Sequence, residues 1–321
     1  MATGTGGTLA GRRARARARR ASRAPSVTTF RKDQQRLAAM FVLPPLLLYA
    51  VFMIYPFFGS IYYSLTEWDG ASGAKEWVGL GNYIEALGDS RMWESLEHNA
   101  IWAVLGTIAP IVIGFVLAVL LWENSRFILF FRTLFFIPFI LPTVVSATVW
   151  QWIYNPVNGV LNSGLETFGL ESLTKAWLGD PDTALIAVLA VAIWGTVGFV
   201  VVVLLAGLQN LDMSQVDAAK IDGANWRQRA WYVILPGIAP VLTMVTAVTL
   251  IGAFSVFDIV FIMTQGGPGI SSELLGTYTY NQAFEQNRVG YGAALSMIMT
   301  LLTLVTAVVF IRLRERRYAN D

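Results

Sequence analysis

The chain has 321 residues, 55% of them apolar and only 14% charged, with a net charge of +2. Soluble domains carry about 25% charged residues, so this composition points to a bilayer as the main solvent. With no cysteine and a single histidine, His98, it excludes disulfides, thiolate chemistry and a multi-histidine metal centre.

Residues 1–36 are rich in Arg, Ala, Ser and Gly, with Arg and Ala alternating between Arg12 and Arg20. Such a segment has too little apolar surface to fold and reads as a disordered basic tail, in preference to a targeting or nucleic-acid-binding arm. The apolar run that follows is too long for a removed signal peptide and lacks a small-residue cleavage site. Six apolar runs come in order, over Leu37–Ser64, Asn99–Trp122, Thr133–Trp152, Thr183–Leu208, Gly237–Met263 and Gly290–Ile311. Each is long enough to cross about 30 Å of hydrocarbon at about 1.5 Å per residue. The peptide groups of each run must be satisfied within it, so the expected fold is all-α, a polytopic membrane protein with six transmembrane helices. Runs that do not alternate exclude a closed barrel. The expected organisation is the tail 1–36, a membrane domain 37–311 and a second tail 312–321.

Orientation follows from the basic residues. Nineteen of the 23 Lys and Arg lie in 1–36, 123–132, 209–236 and 312–321, and four in the alternate loops 65–98, 153–182 and 264–289. Both termini and the loop between the fourth and fifth spans are therefore expected in the cytoplasm. On the other side, Asn82–Leu96 predicts an amphipathic helix leading into the second span. Trp68, Trp77, Trp93, Trp150, Trp152 and Trp177 fit interfacial anchors, with an aromatic sugar platform as the alternative. Pro44, Pro45 and Pro56 in the first span, Pro110 in the second, and Pro138 and Pro142 in the third are expected to kink or unwind those helices.

The stretch Leu208–Pro240 is a polar, helix-compatible insert between two apolar runs. Ser214 and Asp217 have the spacing of a capping box, Gly223 suits a left-handed helix end, and Asp222 or Asn225 can cap a second helix. In that helix Trp226, Ala230 and Val233 share a face, and Leu235-Pro236 is expected to stop it. Asp258, about 20 residues into the fifth span, either lines the outer mouth of a cavity or caps at the interface. Gln265 and Gly266-Gly267-Pro268 form the turn after it. The sequence contains no GxSxG, HExxH or G-x-x-x-x-G-K-[ST] pattern, so catalysis, metal and nucleotide binding are not expected of this chain. No Lys or Arg lies within the six runs, which favours a neutral solute over a phosphate or carboxylate.

Asp217-Ala218-Ala219, three residues, Gly223, nine residues, Val233, then Leu235-Pro236 resembles the E-A-A-x-x-x-G-x9-I-x-L-P loop of membrane subunits of binding-protein-dependent ABC importers. Asp217 stands for the usual Glu and Val233 for the usual Ile, and Asp222-Gly223-Ala224 fits the sugar-type loop. Arg132 to Pro138, Trp152-Ile153-Tyr154-Asn155-Pro156 and Phe257-Asp258 look like carbohydrate-importer permeases of the maltose and glycerol-3-phosphate class, and within it like the first of two paired permeases. The resemblance covers about residues 37–312. It implies a type I importer permease fold with a cytoplasmic coupling helix pair at 213–236, in the bacterial cell membrane. It also implies partners: a second permease, two ATPase subunits that bind ATP and Mg, and an extracytoplasmic solute-binding protein. Asp217, Ala218, Ala219, Asp222, Gly223, Ala224, Leu235 and Pro236 would make the ATPase contact. Trp152, Tyr154, Asn155, Asp258 and Gln265 are the candidates for the solute pathway. A sugar is the expected cargo, a polyol phosphate the alternative, and a channel or scaffold the reading from another class.

Overall fold

Helices in series make up most of the described residues, because a peptide group in hydrocarbon finds no partner but its own helix. The computed structural model describes residues 27–122 and 126–318. Helix α1 (Val27–Tyr49) passes through a π-helical turn, Ala50–Ile54, into α2 (Tyr55–Ser64). Within it, Leu37–Ser64 is apolar on every side, with Phe41 74% and Tyr55 78% exposed. A run of that length and composition suits a membrane crossing. Residues 27–36, expected in the disordered tail, begin this helix instead, and 1–26 lie outside the described residues.

A short antiparallel pair, β1 (Thr66–Glu67) with β2 (Glu76–Trp77), follows in the register Thr66 to Trp77. The single helix expected over Asn82–Leu96 is divided into α3 (Gly81–Gly88) and α4 (Ser90–Leu120). Asp89 is the reason: its extended backbone ends α3, and its carboxylate caps α4 by accepting from the Arg91 amide at 3.0 Å. Pro110 is accommodated within α4 without a break. Then come α5 (Arg126–Ile140), α6 (Thr143–Ile153), α7 (Val160–Thr167), α8 (Ala184–Gln209), α9 (Met213–Ile221) and α10 (Trp226–Arg229). A second π-turn, Ala230–Ile234, leads to α11 (Leu235–Gly237), α12 (Ala239–Phe254) and α13 (Asp258–Met263). The chain closes with α14 (Leu275–Tyr280) and α15 (Val289–Tyr318), the latter running into the segment expected as a C-terminal tail.

Both of these π-turns end two residues before a proline, Pro56 and Pro236. The ring has no N–H to give and crowds the carbonyl four residues back, so the preceding turn widens to bonds of the Tyr55 N–H to Ala50 O and Leu235 N–H to Ala230 O kind.

Among the described residues four helices are long and apolar enough to cross a membrane alone: Leu37–Ser64, Ser90–Leu120, Ala184–Gln209 and Val289–Arg314. The third and fifth spans are bent pairs, Ile128–Ile140 with Thr143–Ile153 at 100° and Trp226–Gly237 with Ala239–Phe254 at 76°, giving up to six spans. Helix α8 is the central one, half of its span being buried. Val200, Leu204 and Leu208 of α8 meet Ala118 of α4 and Val245 of α12 in one core. Close approach is built in at Gly198, where a Cβ would stand 2.6 Å from the Phe135 carbonyl oxygen of α5.

Polar bonds fix the segment after α13. Glu273, 3% exposed, accepts from Arg91 Nε at 2.7 Å and Nη2 at 2.8 Å, and His98 Nδ1 lies 2.9 Å from its carbonyl oxygen. The Asp89 carboxylate accepts from the hydroxyls of Tyr278 and Tyr291. Burial works against its ionisation, but these two hydroxyls and the Arg91 amide outweigh that and hold its pKa below the usual range. Of the tryptophans expected at the interface, Trp77, Trp93 and Trp152 are exposed, whereas Trp150 packs on Tyr154 and Trp194, and Trp177 donates to Asn162 Oδ1 at 2.8 Å.

Candidate functional site

Two helix breaks open onto one cavity. Helix α5 ends at Ile140, and Pro142, in an extended conformation, precedes α6. Leu141 is disfavoured from helix by the ring that follows it, and Pro142 has no N–H with which to continue α5. On the other side α12 ends at Phe254, and Ser255–Phe257 lead into α13, which starts at Asp258. The expected single run Gly237–Met263 is therefore interrupted twice, at Ile238 and at 255–257.

Between these breaks lies a cavity of about 340 Å³. Its polar lining includes Thr143, Ser146, Thr196, Ser255 and the carboxylate-bearing Asp258. Gly195 and Gly252 line it too, and a Cβ at either would meet only open space. A second cavity of about 260 Å³, more apolar and bordered by Trp102, Phe199 and Thr249, shares Ala192, Thr196, Gly252 and Val256 with the first. The hydroxyls of Thr196 and Thr249 donate to Ala192 O and Val245 O on their own helices, at 2.8 and 2.9 Å. Their oxygens are left as acceptors for a hydroxylated solute. The lining thus offers hydroxyl acceptors, one carboxylate and aromatic rings.

Of the five residues expected along the pathway, only Asp258 lines this space. Trp152 is 70% exposed and turned elsewhere. Tyr154 is buried in the core and donates from its hydroxyl to Ala187 O at 3.2 Å. Asn155 Oδ1 accepts from the amides of Val157 and Asn158, both at 3.0 Å, and so shapes the turn after α6. Gln265 is exposed, with φ 53° in the left-handed turn that ends α13. Thr196, Thr249, Phe199 and Gly252 were missed by the sequence reading. Small residues recur throughout both helices, so Gly195, Thr196 and Gly252 carry no signal that sets them apart in the sequence.

Gln151 links the two helices that follow the breaks. Its Nε2 donates to Ile262 O at 2.8 Å and Met263 O at 3.1 Å, so α6 holds the C-terminal carbonyls of α13.

The 213–236 loop is a helix pair as expected, with its caps shifted. Asp212, not Ser214, caps α9, its Oδ1 accepting from the Ser214 amide at 2.9 Å. Hydrogen bonds from the Ser214 side chain and amide keep the Asp212 pKa below the usual range. Asp217 is paired with Lys220 Nζ at 2.8 Å on the exposed face, with Ala218 exposed beside it and Ala219 half-buried. Asp222 ends α9, and Gly223 turns the chain at φ 77°. The Ala224 amide returns to Ala219 O at 2.9 Å, closing the helix end. Asn225 and Gln228 form a full capping box at the start of α10. Leu235-Pro236 does not stop the helix, which continues to Gly237 and breaks at Ile238. Pro240 explains the displacement, since proline is at home in the first turn of the new helix that begins at Ala239.

The pair has a packed side and an open one. Val216, Ala230 and Ile234 are buried against the helix bundle. Ile221, Trp231 and Tyr232 are 87%, 66% and 79% exposed, an apolar surface of the kind that protein contacts cover.

Residues 110–318 match the family described as binding-protein-dependent transport system inner membrane component. The chain is 33% identical over 278 residues to the probable ABC transporter permease protein YurN of Bacillus subtilis, covering 86% of this chain and 95% of that one. It is 31% identical to the multiple sugar-binding transport system permease protein MsmF of Streptococcus mutans, over 86% of this chain and 94% of the relative. It is 30% identical to the trehalose/maltose transport system permease protein MalF of Thermococcus litoralis, over 88% and 95%. In three dimensions it is similar to a chain of a bacterial ABC transporter involved in import of the acidic polysaccharide alginate. There the TM-score is 0.78 and the identity 19%, over 90% of this chain and 99% of that one, a likeness of fold.

Proposed function

We propose, since this chain belongs to the family of inner membrane components of binding-protein-dependent transport systems, that it is the ABC importer permease that forms a pathway for a neutral sugar or oligosaccharide together with a second permease. The meeting of two helix breaks at one hydroxyl-lined cavity carries this reading, because irregular backbone inside a membrane protein is tolerated where it borders a cavity. The carboxylate of Asp258 in the lining favours a neutral cargo over a polyol phosphate, which it would repel. Relatives named for sugars, trehalose and maltose support the class of solute.

In this reading the open side of the 213–236 pair seats an ATPase subunit, with Asp217, Ala218, Ala219, Asp222, Gly223 and Ala224 near the contact and Leu235-Pro236 at its base. ATP and Mg belong to those ATPase subunits, and an extracytoplasmic binding protein delivers the solute to the opposite face. The loop and both termini lie in the cytoplasm, where the excess of Lys and Arg belongs. Closure of the ATPases tilts the pair, and the bend at Ile238 passes that tilt to α12 and the cavity wall. The cavity supplies position and selection; hydrolysis supplies the drive.

The test is uptake of labelled mono- and oligosaccharides into vesicles holding the complete complex. Gly252→Leu, which fills the cavity, is expected to abolish uptake while ATPase co-purification persists. Uptake confined to an anionic solute would overturn the sugar assignment. Unchanged uptake in Gly252→Leu would overturn the pathway.

A further inference from the structure

At the root of the 213–236 loop, where the end of α4 meets α9 and α10, lies another cavity of about 240 Å³. Val119, Val216 and Ile234 give it apolar walls, Trp122 and Trp226 border it, and Lys220 and Arg229 bring two positive charges. Among the described residues its lining contains no carboxylate. Asp217, which pairs with Lys220, stands outside the lining and is largely exposed. Arg229 gives one of its five N–H donors to Ala224 O, at 2.8 Å, which fixes the guanidinium at the cavity. A third cation is held at the same helix end: Arg132 donates from Nε and Nη2 to Leu121 O, at 2.9 and 2.6 Å, and from Nη2 to Trp122 O at 3.1 Å.

Two cations beside indoles and an apolar floor match an amphiphile with an anionic head. Indole rings concentrate at the depth of lipid headgroups, and basic pockets there recruit acidic lipids. The volume is below the roughly 300 Å³ at which pockets begin to hold drug-sized molecules, and suits a phosphodiester with its glycerol carbons.

We propose that this cavity binds the phosphate headgroup of an anionic phospholipid from the leaflet adjoining the 213–236 loop. Lys220 and Arg229 hold the phosphate, and Trp122 and Trp226 flank the glycerol. Because α4 supplies one wall and α9 and α10 the other, a bound headgroup fastens the loop to the membrane surface at the place where its two helices join. The assignment is independent of which solute is carried.

The test uses the full-length protein with its co-purifying subunits, in nanodiscs of phosphatidylcholine alone or with phosphatidylglycerol, and native mass spectrometry of retained lipid. The native chain is expected to retain phosphatidylglycerol. Lys220→Gln with Arg229→Gln weakens retention by about tenfold or more, whereas Arg227→Gln, the loss of one positive charge outside the lining, leaves it unchanged. Arg229→Lys, which keeps the charge, is expected to retain the lipid as the native chain does, which separates loss of charge from loss of fold. Equal retention in the native and double variants, or equal loss in Arg227→Gln, would overturn the site. Displacement of the lipid by millimolar inorganic phosphate would identify a soluble anion as the occupant and overturn the lipid assignment.

Discussion

Arg91→Ala should destabilise the protein more than Glu273→Ala, although each removes the same ion pair. The Glu273 side chain is 4% exposed and Arg91 38%. Without Arg91, the buried carboxylate keeps only Ser95 Oγ, at 3.4 Å, as a side-chain donor. Stranding a buried charge costs about 3–5 kcal/mol. Without Glu273, the guanidinium can turn to solvent and stays over the Tyr278 ring, 5.0 Å from its centroid. The loss is then about 1.5–3 kcal/mol, the value of charge-assisted bonds alone. Replacing both by Leu should cost less than Arg91→Ala by itself, because no charge is left behind. Unfolding of the purified protein in mixed micelles with increasing SDS, followed by tryptophan fluorescence, measures all three variants. Equal losses in the two single variants that add in the double would refute an uneven, coupled pair.

Gly198→Ala should cost about 1–3 kcal/mol in the same assay, since the new methyl meets a backbone carbonyl of α5 that cannot step aside. Gly223→Ala meets no neighbour, so its penalty is the left-handed backbone alone, about 1–2 kcal/mol; it should appear as faster amide exchange at 222–225 with the membrane core unchanged. The cap at Asp212 has a depressed folded pKa, so its contribution is full above the ordinary carboxylate range and is lost as pH falls through the folded value. Protection of the Ser214 amide, taken relative to its intrinsic exchange rate, should fall on acidification in the native chain and be low at all pH values in Asp212→Ala. Gln151→Leu should release the α13 carbonyls and raise the labelling rate of a cysteine placed at Asp258, the only thiol in a chain without cysteine.

The spans were legible because a run of apolar residues must be helical in a bilayer, and Gly223 because only a left-handed residue closes a helix into so short a turn. The breaks were less so. Ser255-Val256-Phe257 holds a single hydroxyl, which a membrane helix tolerates, so the sequence does not mark the stop that follows Phe254. Ser214 and Asp212 stand two residues apart, and either can cap; the carboxylate, being the stronger acceptor, prevails. Tyr154 and Asn155 belong to a recognisable motif, yet their bonds to Ala187 O and to the next two amides make them builders of a corner. Thr196 and Thr249 gave no polar signal because a threonine bonded to its own helix is compatible with any apolar span.

The shortness of α12 bears on how the protein enters the membrane. Its 16 residues reach about 24 Å at 1.5 Å per residue, short of a hydrocarbon layer of about 30 Å. The peptide groups at Ser255–Phe257 would then face lipid if this segment left the translocon alone. Helices α6 and α8 precede it in synthesis and form the wall around that gap. Insertion of the fifth span is thus expected to depend on the earlier ones, and a truncated chain presenting α12 without α8 should be retained at the translocon and degraded.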